Sequence, residues 1–126
     1  MKIIIVTILL ALAGTAASAD VELSSFEAQD LLGMTLRGVE TYYDTFEGSD
    51  GNTLIELPSG AIFRLNDAHY QFIVHPTVLV FASHFTADEL RESNRVNRTN
   101  YKVPREGIVI FRLAIGRHVY SATRIK

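Results

Sequence analysis

Four histidines, His69, His75, His84 and His118, are the side chains best suited by type to proton transfer or metal ligation near neutral pH. The first three fall within sixteen positions and would need tight turns between them to converge on one ion. The spacing does not encode that convergence. Each histidine belongs to a different expected strand or turn, and the H-x-x-x-H pattern that sets two imidazoles on one helix face is missing. No G-x-S-x-G elbow and no glycine-rich phosphate loop occurs either. The chain therefore offers no assigned catalytic residue, cofactor-binding residue or metal ligand. A small histidine-dependent hydrolase or metal-binding enzyme stands as an alternative reading.

A second group is cationic. Arg91, Arg95, Arg98, Lys102 and Arg105 are strung along residues 85–105 with Tyr101 among them. Loops on a rigid scaffold carry function disproportionately, and cations beside an aromatic ring suit an acidic protein surface or an anionic envelope polymer. These six residues are the expected partner-binding set, with the face around Arg64, His69 and Tyr70 as second choice. Charge is unevenly divided along the chain. Residues 20–67 hold ten acids against two arginines, a net of −8, whereas residues 68–126 carry nine cations against four acids, a net of +5. The chain either presents an acidic and a basic face or neutralises the two halves by interleaving them in a sheet. An exported chain of near-neutral, slightly acidic balance disfavours nucleic acid as a partner.

Short strands must position these groups. In residues 107–124, GIVIFRLAIGRHVYSATR, β-branched and aromatic residues crowd the first nine positions, and Gly116-Arg117 suits a two-residue type II′ loop. That turn pairs Ile115 with His118, Leu113 with Tyr120 and Phe111 with Ala122, a bulky residue meeting a small one. A second hairpin joins 53–57 to 61–65 through Pro58-Ser59-Gly60 and puts Ala61, Phe63 and Leu65 on one face. Residues 47–52 read as a turn, with Asp50-Gly51 its positive-φ pair. Its oxygen ligands do not match an EF-hand spacing. Pro76 interrupts any ladder, so pairing restarts at 77–82, TVLVFA, which is apolar on both faces as a central strand is. Residues 34–46 have strand composition, with Gly38 marking a bulge or bend.

Two helix starts are written in capping-box spacing. Ser24 and Glu27 open a short N-terminal helix stopped by Gly33; Thr86 and Glu89 open a turn or two over 87–92. The polar stretch 93–100 has nothing to bury and is expected to be an exposed, mobile excursion.

Residues 1–19 combine Lys2, an apolar run and Ala17-Ser18-Ala19, the pattern of a secretory signal peptide cleaved before Asp20. Cleavage leaves 107 residues, enough for one small domain, periplasmic or secreted, with no other apolar run of spanning length. Cysteine is absent, which removes disulfides, thiolate metal sites and a cysteine nucleophile together. Packing alone must hold the domain.

The strand spacing indicates an all-β, mainly antiparallel fold: a small SH3-like or OB-like barrel or sandwich of five to seven strands with a short N-terminal helix. Phe63, Leu79, Phe81, Phe111, Leu113 and Tyr120 are expected in one core. On these grounds the chain reads as an exported cell-envelope binding module for a protein, peptide or glycan. A small periplasmic inhibitor or immunity-type protein is the nearest alternative.

Overall fold

The computed structural model describes residues 20–126 and the backbone of Val6–Ile8; the expected leader and its Ala17-Ser18-Ala19 site otherwise lie outside the described residues. Strand β1 (Val6–Ile8) pairs antiparallel with β2 (Val21–Leu23). Helix α1 (Ser25–Ala28) and a 3-10 turn at Gln29–Leu31 lead into β3 (Thr35–Thr41). The strands β4 (Thr45–Phe46), β5 (Ser49–Asp50), β6 (Thr53–Glu56), β7 (Ile62–Leu65), β8 (Ala68–His69) and β9 (Ile73–Val74) come next in close succession. Then come β10 (Thr77–Phe85), helix α2 (Ala87–Asn97), β11 (Ile108–Ile115) and β12 (His118–Arg124).

Six of these strands form one antiparallel sheet in the order β3-β10-β11-β12-β7-β6, curled into a half-barrel. The small all-β, antiparallel architecture read from strand spacing is the one observed. Two two-stranded ladders, β4-β9 and β5-β8, add to it. The C-terminal hairpin has the register its turn dictates: Ile115 faces His118, Leu113 faces Tyr120 and Phe111 faces Ala122. Gly116 has φ +60° while Arg117 is not in the positive-φ region, as a type II′ turn requires. The Pro58-Ser59-Gly60 hairpin also forms, with Ile55 opposite Phe63 and the Leu57 N–H donating to the Ala61 carbonyl at 2.9 Å.

Alternation along the central strand decides where the core lies, because successive side chains leave opposite faces of a sheet. On β10, Val78 and Val80 point into the concave face with Phe46, Ile55, Leu57, Phe63, Leu65, Leu113, Ile115, Tyr120 and Ala122. Leu79 and Phe81 point to the convex face and are covered by Val21, Leu23, Ala28, Leu31 and Met34. The six residues expected in a single core are therefore divided: Phe63, Leu113 and Tyr120, with half-buried Phe111, lie inside the curl, and Leu79 and Phe81 lie outside it. A strand apolar on both faces needs cover on both. Here α1, the 3-10 turn and β2 supply the second layer.

Two local departures have clear causes. The segment 47–52 is more than a turn, because β5 pairs with β8 there, and Gly48 makes the approach possible. A Cβ at Gly48 would collide with the His69 carbonyl oxygen. Helix α2 extends through Asn97 and absorbs much of the segment expected to be mobile. Its Thr86–Glu89 capping box is complete, and Asp88 pairs with Arg91 and Glu92 with Arg95, each one turn apart. The Asn94 side chain fastens the chain beyond the helix, Nδ2 donating to the Tyr101 carbonyl (2.9 Å) and Oδ1 accepting from the Thr99 hydroxyl (2.8 Å). No residue of α2 is buried, so local pairing and capping hold it to this length.

Candidate functional site

Two constellations on the concave face bring chemistry-bearing side chains together, one at each end of the half-barrel. The first is centred on His118, at the start of β12. Its Nδ1 lies 2.8 Å from Glu27 Oε1 and its Nε2 lies 3.1 Å from Asp67 Oδ2. An ionised carboxylate only accepts, so both bonds form together when each ring nitrogen carries a proton. The same carboxylates also take backbone donors. The Val119 N–H donates to Glu27 Oε2 (3.0 Å), and the Ser121 N–H donates to Asp67 (3.2 Å).

Strand pairing explains why the carboxylates sit there. Strand β7 pairs only with Ala122 to Arg124 of β12, which leaves the outer edge of 118–121 without a neighbouring strand. Glu27 from α1 and Asp67 from the β7–β8 connection fill that gap and satisfy donors that a missing strand would have taken. Ser24 caps α1 through the Glu27 N–H at 3.3 Å, but the Glu27 carboxylate reaches β12 rather than closing a capping box.

Around this clamp the packing is aromatic. His69 stacks on His118 with ring centroids 4.0 Å apart and planes 5° from parallel, and Tyr120 stands edge-on to both. The Tyr120 hydroxyl donates to the His69 carbonyl (2.9 Å) and accepts from Gln71 Nε2 (3.0 Å). Burial raises the Tyr120 pKa above its usual 10.0, aided by the charges of Asp67 and Glu27 and opposed by the Gln71 bond. A catalytic histidine must turn one nitrogen toward its substrate. His118 has neither nitrogen free, so this cluster clamps α1 and the β7–β8 connection onto β12.

The second constellation is a cleft of about 690 Å³ at the other end of the half-barrel. Its floor is apolar, made by Phe63, Val80, Ala82, Val109 and Phe111, and its rim carries Arg37, Glu40, Ser59, His84 and Arg124. Glu40 on β3 accepts from the Ser59 N–H (2.7 Å) and hydroxyl (2.8 Å), tying the edge strand to the 58–60 turn across the open side of the sheet. The β3 register places Arg37. Val80 faces Gly38 and Phe81 faces Leu36, so Arg37 is the extra residue of a β-bulge, the irregularity expected near Gly38. No family model, no curated protein and no solved structure matches this chain.

The arrangement of the cleft suits binding. An apolar concavity of this size with a few polar groups at its rim is the usual form of a small-molecule site, typically about 300–1,000 Å³. Neither arginine of the rim forms an ion pair with a side-chain carboxylate among the described residues; the Arg124 Nε–H donates to the main-chain oxygen of Lys126 at 3.2 Å. His84 Nε2 lies 3.2 Å from the Glu106 carbonyl.

The structure separates the four histidines. His69 and His118 meet, His84 stands at the cleft, and exposed His75 contacts the Tyr43 ring edge-on at 6.2 Å. Among the described residues no group of three His, Cys, Asp or Glu is arranged to hold a metal ion. The cationic set is also divided. Arg91 and Arg95 are engaged by Asp88 and Glu92 on α2, while Arg98 is the αL residue that ends the helix. Tyr101 and Lys102 line a small pocket of about 230 Å³ with Leu90, Asn94, Pro104 and Ile108, and Arg105 lies in the turn before β11. The cleft residues Arg37 and Arg124 carry little mark in the sequence: the bulge signal at Gly38 is the one trace of Arg37, and nothing local marks Arg124.

Proposed function

We propose that this chain is an exported, non-catalytic binding module of the cell envelope, and that its ligand enters the cleft at the open end of the half-barrel with an apolar group on the floor. The observation that carries this reading is the cleft itself: about 690 Å³ of concave space floored by Phe63, Val80, Ala82 and Phe111 and left open at the surface. Export rests on the leader pattern of residues 1–19. Among the described residues no helix is long and apolar enough to cross a membrane. The clamped state of His118 favours binding over hydrolysis, since that histidine has no nitrogen to offer.

The test uses N-phenyl-1-naphthylamine, an uncharged probe that fluoresces in apolar surroundings. Saturable, one-to-one enhancement is expected for the wild type. It should be lost when Gly38→Leu or Ala82→Phe fills the cleft in variants that keep the wild-type circular dichroism. Failure of the wild type to enhance the probe overturns the reading.

A second mode of contact is favoured by one observation: Arg98, Lys102 and Arg105 make no ion pair among the described residues. They are free to meet an anionic partner protein or envelope polymer, with Tyr101 beside them. Retention on immobilised polyglutamate at low salt, lost in a triple serine variant, measures that mode.

A further inference from the structure

The rim of the cleft specifies more than an apolar guest. We infer that its ligand is an amphiphile with a carboxylate or phosphate head, held between Arg37 on the β3 bulge and Arg124 near the end of β12. This inference rests on the cleft being the binding site and adds the charge of what it binds.

The bulge sets the direction of Arg37. In a regular strand Arg37 and Glu40, three residues apart, would project from opposite faces. The extra residue in β3 breaks that alternation, so Arg37, Gly38 and Glu40 all line the concave side. Bulges re-aim side chains in this way and are over-represented beside functional sites. Arg124 reaches the same space from β12, where it pairs in register with Phe63 of the cleft floor. Two strands that are not neighbours in the sheet thus each bring one guanidinium to a single apolar concavity.

Among the described residues that line the cleft, the one side-chain carboxylate is Glu40, and it does not neutralise the arginines. Both of its oxygens are engaged by Ser59, and no ion pair links it to Arg37 or Arg124. Counted over its lining side chains, the rim therefore holds one more formal positive charge than negative, before any contribution from His84. A guanidinium presents a planar fork of donors that matches a carboxylate or phosphate in two bonds, and such bonds strengthen beside low-dielectric surface. Phe63, Val80, Ala82 and Phe111 leave the remainder of the guest an apolar floor.

Displacement of N-phenyl-1-naphthylamine by dodecanoate, dodecyl phosphate and uncharged dodecanol tests the inference. The anions are expected to compete about tenfold better than dodecanol, on the order of one charge-assisted hydrogen bond. Whichever anion competes better names the head group. Arg37→Gln and Arg124→Gln should each weaken the anions by about five- to tenfold, change dodecanol less than about twofold, and flatten the salt dependence of anion binding. Equal competition by all three, or anion affinity unchanged in both variants, would overturn the charged-head inference while the probe still reports an apolar cleft. Absence of probe binding to the wild type removes the cleft reading, and this inference with it.

Discussion

His118 Nδ1 and Glu27 Oε1 stand 2.8 Å apart although ninety-one positions of sequence separate them. That contact, continued by Glu27 Oε2 to the Val119 N–H, fixes the N-terminal helix to the last strand of the sheet. Both side chains are mostly buried, at 16% and 18% exposure, so solvent screens the bond less than it screens a surface pair.

Removing the carboxylate should therefore be costly. Glu27→Ala leaves a strand-edge N–H and one imidazole nitrogen without their acceptor, and is expected to destabilise the fold by about 1–3 kcal/mol. Exposed Glu22→Ala should stay within about 0.5 kcal/mol. Urea melts of the two variants measure the difference, and equal midpoints would show that the clamp contributes nothing.

Phenylalanines on the concave face should rank by burial. Phe63 is 2% exposed and packs edge-on to Phe111 at 5.3 Å between ring centroids, while Phe111 itself is half-buried at the cleft. Phe63→Ala should cost about 3–5 kcal/mol, and Phe111→Ala clearly less. The reverse order in denaturant melts would mean that the open end of the half-barrel is closed in solution.

Gly48 should tolerate no side chain. Its φ is +88°, and an added Cβ would strike the His69 carbonyl oxygen and the Tyr70 Cα, which are backbone atoms unable to step aside. Gly48→Ala is expected to lower the melting temperature by far more than Gly33→Ala. At Gly33 φ is also positive, but nothing lies within 4 Å of the added carbon.

At the end of α2 the sign reverses. Arg98 is held at φ +53°, a conformation unfavourable for any residue with a Cβ. Arg98→Gly relieves that strain but loosens the unfolded chain, and a net stabilisation of about 0.5–1 kcal/mol is expected. Thermal melts of the single variant give the sign directly.

Alkaline pH should weaken the fold through Tyr120. Its folded pKa is raised above 10.0, chiefly by burial, so the neutral phenol is the form the fold favours. That contribution is complete below the unfolded value near 10 and disappears as pH rises through the higher folded value. Stability followed from pH 9 upward should fall in wild type and fall less steeply in Tyr120→Phe. Tyr42, raised by burial and by Asp44, accounts for part of the remaining slope.

Local chemistry determined a large share of this protein. The Gly116-Arg117 turn, its pairing of Ile115 with His118, the Pro58-Ser59-Gly60 hairpin, both helix starts and the irregularity near Gly38 all arise from residues close together in sequence. Turn geometry and period-two alternation act over a few residues, so they can be read without knowing the sheet. The half-barrel alone decided the rest. Glu27, Asp67 and His118 meet because the outer edge of β12 has no strand beside it along 118–121, and Arg37 and Arg124 share a cleft because the sheet curls and Glu40 ties its edge to Ser59. The division of the expected core has the same origin: Leu79 and Phe81 differ from Val78 and Val80 only by which face of β10 they leave. Such relationships depend on strand order, and no local pattern in the chain encodes which strand ends beside which.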